Sequence, residues 1–178
     1  GVTTGIVQAI ISCIERPDDC LRNIALETLL EICYTNPTLV KQCSGIPVLE
    51  NIINEHPSFH VSQAVLETLL DLMSYHETRQ YFISGFKANS VLAALSDYQS
   101  KSSLNVEKLQ NCIVLISTCL KNLNGLMLFS TNNFKPLREL ISFFQVPMLV
   151  RYLIDLFLDV LRIKPLPYPS KKTTQVFK

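Results

Sequence analysis

The sequence predicts an all-α fold in which short helical units stack one on the next. Three observations carry that reading. Residues 25–31 read ALETLLE and residues 65–71 read VLETLLD, a spacing of 40 residues. The steps Ser44-Gly45 and Ser84-Gly85 recur at the same distance. Glycine is scarce, 5 in 178 residues, and apolar side chains follow helical spacing almost throughout. An internal period near 40 marks an armadillo- or HEAT-like helical repeat solenoid, an α-α superhelix. A single unit of that kind cannot bury its own apolar face and must lean on its neighbours.

Each element can be justified in order. A first helix is expected over Thr4–Glu15, ending before Pro17, because the residue ahead of a proline is pushed out of the α region. Asp18 or Asp19 can cap the next helix by accepting from its free N–H groups. That helix carries Leu21, Ile24, Ala25, Thr28, Leu29 and Ile32 on one stripe, and Asn36-Pro37 ends it. A short helix, TLVKQC, follows. Ser44-Gly45 turns the chain, and Pro47 falls in the first turn of IPVLENII, where its missing N–H costs little.

The unit then recurs. Ser58 or Ser62 starts the helix holding VLETLLDLM, a short piece around 78–83 leads to Gly85, and a further helix holds Val91, Leu92 and Leu95. Val48-Leu49 align with Val91-Leu92 at 43 residues, which places an insertion near 87–89. Residues 96–103 are polar and read as a loop. A third long helix is expected over 104–123, with Val106, Leu109, Ile113, Ile116 and Leu120 on one face, broken by Asn124-Gly125. The stretch LMLFSTNNFKPLRELISFF then resembles LVKQCSGIPVLENII in layout. Pro147 opens a fourth long helix, whose IDLFLDVL lies on the second unit at an offset of 88, Asp155 on Glu67 and Asp159 on Asp71. From Lys164 the pattern dies in KPLPYPSKKTTQVFK, read as an extended or disordered tail over 164–178. The repeats thus occupy 1–163, as a segment of a longer solenoid.

Composition bounds the function. Hydrophobic residues make up 48% of the chain, enough for a substantial core, while charged residues are only 17%, as expected of a slice whose ends are interfaces. A net charge of +1 gives no nucleic-acid or membrane footprint. No run of 18 apolar residues appears, so no transmembrane segment is expected. The opening GVTTGIVQAI lacks the basic region of a signal peptide. The six cysteines, Cys13, Cys20, Cys33, Cys43, Cys112 and Cys119, lie mostly in apolar helical runs, where free thiols act as small hydrophobes, so all are expected to be reduced.

Reactive chemistry is hard to find. His56 and His60 have the spacing of metal ligands on a helix, but Pro57 separates them and no HExxH surrounds them. No two cysteines are spaced CxxC, and no GxSxG, P-loop or GxGxxG occurs. Gly45 and Gly85 read as turn residues. Asp155 and Asp159 suggest acid–base work less than a solvated face with Arg151–Asp155 and Asp159–Arg162 pairs. No catalytic residue, cofactor or metal site is expected. The predicted repeat-interface residues are Leu26, Leu29, Leu66, Leu69, Leu70, Leu153, Phe157 and Leu161.

The unit TNPTLVKQCSGIPVLENII resembles an armadillo repeat, with a short helix, a glycine turn, an Ile-Pro start and a long packing helix. Three stretches together go further: GIVQAIISCIERPDDCLRNIALETLLEICYTNPTLVKQCSGIPVL, then VLETLLDLMSYHETRQYF, and above all VRYLIDLFLDVLRIKPLPYP. In order and spacing they resemble the amino-terminal armadillo-like helical region of the Rictor family (rapamycin-insensitive companion of TOR), in its fungal form, from residue 5 to about 168. The resemblance implies a non-catalytic scaffold and regulatory subunit of TOR complex 2. Its partners would be the TOR kinase, a Sin1-type subunit and the other subunits of that complex. Its role would be to support AGC-kinase phosphorylation, actin cytoskeleton organisation and growth signalling, in the cytoplasm and peripherally at the plasma membrane. The family's catalytic residues belong to the kinase subunit, so none transfers here. The alternatives are an unrelated armadillo adaptor in transport or the cytoskeleton, and a helical hydrolase using Cys or His. An importin-like adaptor would need a ladder of exposed Trp, and the chain has none.

Overall fold

Asparagine and proline divide the chain into helices. In the computed structural model, which describes residues 1–55, 59–82, 86–101 and 105–162, α1 spans Thr4–Ile14 and ends ahead of Pro17. Asn36 ends α2 (Arg22–Thr35), and its side chain accepts from the Leu39 N–H to start α3 (Pro37–Gln42), where Pro37 needs no donor. There follow α4 (Gly45–Glu55), α5 (Phe59–Leu72), α6 (His76–Phe82) and α7 (Ala88–Lys101). Asn105 caps α8 (Val106–Lys121) and Asn122 caps α9 (Leu123–Phe129), each through its side-chain oxygen. Then α10 (Thr131–Ser142) leads through a 3-10 turn at Phe143–Gln145 into α11 (Pro147–Val160). No strand occurs among the described residues.

The helices pack in threes. α2 lies on α5, α5 on α8 and α8 on α11; α1 lies on α4, α4 on α7 and α7 on α10; α3 lies on α6. Each unit is therefore a long helix, a short one and a third helix: α2–α4, α5–α7 and α8–α10, flanked by α1 and α11. One continuous apolar core runs through all of them. Leu29, Leu66, Leu69 and Leu153 are fully buried, and Leu26 and Leu70 nearly so. Phe157 is only partly buried, and Leu161, expected in the interface, is 63% exposed. Leu161 follows the last turn of α11 as its C-cap residue and lines an open groove.

Several local expectations are corrected. Leu21 and Ile24 face outward, and the buried stripe of α2 is Ala25, Leu26, Leu29, Ile32 and Cys33, the side on which α1, α3 and α5 lie. Asp19 accepts from the Leu21 N–H (2.9 Å), one step ahead of the helix rather than at its cap. Ser62 lies within α5 and does not start it. Residues 96–101 continue α7, because Tyr98 packs on the core and Ser96 donates to Glu139 of α10 (3.3 Å). The break after α8 falls at Asn122, not at Asn124-Gly125, and the two helix axes turn by 106° there. The predictions at His56, Ser58, Gly85 and the 164–178 tail lie outside the described residues.

The glycines work by close approach. Ser44, not Gly45, takes the left-handed conformation at the α3–α4 turn (φ 60°). Gly45 is the buried first residue of α4, and a Cβ there would sit 2.6 Å from Val40 Cγ1. In the third unit Asn132, Asn133 and Phe134 make the corresponding turn ahead of Pro136, all with positive φ. Gly125 is tighter still: an added Cβ would lie 2.1 Å from the Cys119 carbonyl oxygen, a contact that backbone cannot relieve.

Two outcomes follow from this packing. In urea denaturation, Leu69→Ala should cost about 2–5 kcal/mol through lost burial and a cavity, while Leu161→Ala should change stability by less than about 0.5 kcal/mol. Equal effects would place the interface elsewhere. Gly125→Ala should lower the melting temperature markedly, whereas Gly5→Ala, with nothing within 4 Å, should not.

Candidate interaction surfaces

The carboxylate contacts between units span close to one repeat period. Tyr34 of α2 donates to Asp71 of α5 (2.9 Å), 37 residues on. Ser117 and Lys121 of α8 donate to Asp159 of α11 (2.6 and 2.7 Å), 42 and 38 residues on. In the second ladder Ser90 and the Lys87 N–H donate to Glu50 of α4, 40 and 37 residues apart, and Ser96 donates to Glu139, 43 apart. Carboxylates thus join neighbouring units at close to the repeat period. Asn124 adds a cross-link, donating to the Leu70 carbonyl (3.0 Å) and Ser74 Oγ (2.7 Å) at the end of α5.

Sequence reasoning aligned Asp71 with Asp159 but assigned the wrong partners. Asp159 reaches across to α8 rather than along its own helix to Arg162, and no ion pair joins Arg151 to Asp155 among the described residues. The signal was present: Tyr34 and Asp71 stand nearly one period apart, as do Lys121 and Asp159. The bonds from Lys121 and Ser117 hold the Asp159 carboxyl below its ordinary range. Burial first, and then Asp71, raises the Tyr34 hydroxyl to about 12.

Groups capable of reaction are masked or dispersed. Burial lifts the Cys33, Cys112 and Cys119 thiols from 9.0 to about 12, so at neutral pH they hold no thiolate to act as nucleophile or metal ligand. All six cysteines are free thiols. Among the described residues no three His, Cys, Asp or Glu side chains converge as a metal site, and no single helix is long and apolar enough to cross a membrane.

One apolar face is open. Laid on α5 at the offset of 88, α11 places Ile154, Phe157, Leu158 and Leu161 where α5 has Leu66, Leu69, Leu70 and Met73. The α5 residues are buried in a helix packed on by α2 and α4 and, beyond it in the chain, by α6 and α8. Their α11 counterparts line an open groove of about 370 Å³ with Phe144, which stacks on Phe157 at 5.8 Å between ring centres. The partly buried Phe157 and the exposed Leu161 therefore lie on an apolar face that the described residues leave open.

Stacked three-helix units and an open apolar face define a helical repeat protein. The chain belongs to the family described as rapamycin-insensitive companion of mTOR, N-terminal, which it matches over residues 1–176. It is 52% identical, over 179 aligned residues and all of its length, to the Target of rapamycin complex 2 subunit TSC11 of Saccharomyces cerevisiae. It is 25% identical over 173 residues, 90% of its length, to the Target of rapamycin complex 2 subunit ste20 of Schizosaccharomyces pombe. The chain spans 12% and 13% of the lengths of these two relatives.

The thiols give a measurable consequence. With native protein, a soluble alkylating reagent should modify the exposed Cys20 first and Cys33, Cys112 and Cys119 only on unfolding. Because burial raises these three above their unfolded value of 9.0, their contribution to stability is complete below pH 9 and drains away as pH rises toward 12. Urea midpoints should fall across that window. The lowered Asp159 acts oppositely, stabilising above the ordinary carboxylate range and losing that contribution on acidification, so Asp159→Asn should flatten the acid limb. Rapid labelling of the buried cysteines at neutral pH would contradict the packing.

Proposed function

We propose that this chain is a helical repeat segment of a non-catalytic scaffold subunit of TOR complex 2, and that it helps hold the TOR kinase, a Sin1-type subunit and the other subunits in one assembly. The observation that carries the reading is the 52% identity along the whole chain to a subunit of that complex. The geometry supports it: the interior is spent on stacking units, and the chemistry a catalyst would need is buried or dispersed. The segment acts by shape, with the α11 face continuing the stack into further repeats of a longer solenoid. Phosphorylation of AGC kinases and effects on actin organisation would follow from the assembled complex, in the cytoplasm and peripherally at the plasma membrane.

The test is a charge placed in the stack. Leu153 is fully buried between α11 and α8. Leu153→Asp would bury an unpaired carboxylate there, a cost of several kcal/mol. In cells carrying the full-length variant, co-purification of TOR kinase and phosphorylation of AGC-kinase substrates should both fall. Gln110→Ala, on an exposed position of α8, should leave both unchanged. Normal association and phosphorylation with a segment shown to unfold would overturn the scaffold reading.

A further inference from the structure

We infer that the seam between α2 and α5 is a docking groove for an extended peptide of another protein, one that seats an apolar side chain between the helices beside lysine or arginine. The inference rests on the scaffold reading for the expectation of protein partners and names what this surface would select.

The seam has two depressions joined by an acidic run. One, of about 250 Å³, has a floor that includes Leu26, Leu30, Val61 and Val65, with Asn23 and Glu27 on its rim. The other, of about 430 Å³, is lined by Tyr34, Tyr75, His76, Glu77 and Thr78. Between them run Glu31 of α2 and Glu67 and Asp71 of α5, all exposed, as is Glu27. The bond from Tyr34 to Asp71 places the two helices side by side there. Glu27 and Tyr34 are seven residues apart, about 10 Å along a helix at 1.5 Å per residue, or roughly three residues of extended chain.

Charge selects the occupant. No lysine or arginine compensates the four carboxylates from these two helices. The only lysine or arginine of α2, Arg22, is turned to the Ile14 carbonyl and Glu55, and α5 has no lysine or arginine, its one histidine, His60, lining the smaller depression. Glu67 and Asp71 accept bonds from neutral donors, Gln63 and Tyr34, which leaves their charge in place. The α8–α11 seam differs: α11 repeats the two carboxylates as Asp155 and Asp159, but Lys121 pairs with Asp159 and the exposed middle of α8, Gln110 and Val114, is uncharged. Exposed faces of Tyr34 and Tyr75 add a surface for a cation. The apolar floor takes one buried side chain, the carboxylates flank it, and the rim Asn23 can pair with peptide backbone. The same field repels phosphate, which disfavours nucleic acid and anionic lipid.

The experiment uses the full-length protein and a fluorescein-labelled synthetic peptide, Gly-Ser-Leu-Lys-Arg-Lys-Ser-Gly, followed by fluorescence anisotropy. Saturable binding is expected, weakening with added salt. The double variant Glu27→Gln/Glu67→Gln should bind about tenfold more weakly, the scale of roughly two exposed charge pairs. Ala64→Arg, which fills the apolar depression, should abolish binding; circular dichroism should be unchanged in both variants. Absence of saturable binding, equal affinity of the folded variants, or equal binding of a peptide with glutamate in place of its three basic residues would overturn the inference. Co-purification of TOR kinase with the unaltered protein tests the scaffold reading separately: if the kinase associates and the peptide does not bind, only the groove assignment fails.

Discussion

The long helices carry apolar stripes wider than their own units can cover, and each leans on the next: α2 on α5, α5 on α8 and α8 on α11. α5 shows what complete coverage means: Leu66, Leu69, Leu70 and Met73 are buried in a helix packed on by α2 and α4 and shut in by α6 and α8, which follow it. α11 carries the same pattern without those neighbours, and its equivalent side chains stand open. The difference is one of company, not of sequence. Water leaves an apolar surface only when another apolar surface takes its place, so the stability of each unit is conditional on the next. A repeat stack built this way transmits damage locally, because each unit touches only its neighbours.

Apolar burial stacks the units but specifies their register weakly, since one leucine stripe resembles another. The carboxylate contacts supply the register. Asp71, Asp159, Glu50 and Glu139 each bond to a hydroxyl, an amide or a lysine on the adjacent unit, at separations close to the repeat period. Such exposed bonds contribute roughly 0.2–1 kcal/mol each, small beside the burial of the leucines. A slip of one helical turn would break several together while leaving much apolar contact intact. Gly45 and Gly125 complete the constraint by allowing backbone and side chain to approach where any Cβ would intrude.

The fold alone does not state a function, because helical solenoids serve many. What is particular here is the distribution of surface properties along a regular stack. Three of the six thiols are withdrawn into the core, the α11 face is apolar and left uncovered by the described residues, and α2 and α5 set four carboxylates along one seam while the exposed middle of α8 stays neutral. A periodic framework makes those departures readable, since each can be compared with the equivalent position one or two units away. The sequence relationship identifies the family.

The amino-acid sequence by itself determined the class of fold, the period and much of the core. Leu29, Leu66, Leu69 and Leu153 were recognisable because burial in a helix leaves a periodic trace, and Pro47 and Pro147 because proline is favoured in a helix's first turn. Asn122, which separates α8 from α9, was missed in favour of Asn124-Gly125 because capping depends on which residue the backbone reaches first. Ser44 takes the left-handed turn that Gly45 seemed made for, because the fold needs the glycine's missing side chain more than its freedom. Leu161 carried the right spacing for burial, yet spacing says only which way a residue faces. Whether a neighbour stands there, and that Tyr34 meets Asp71 or Lys121 meets Asp159, was decided by tertiary structure, because those contacts join positions that the chain brings together only by stacking whole units.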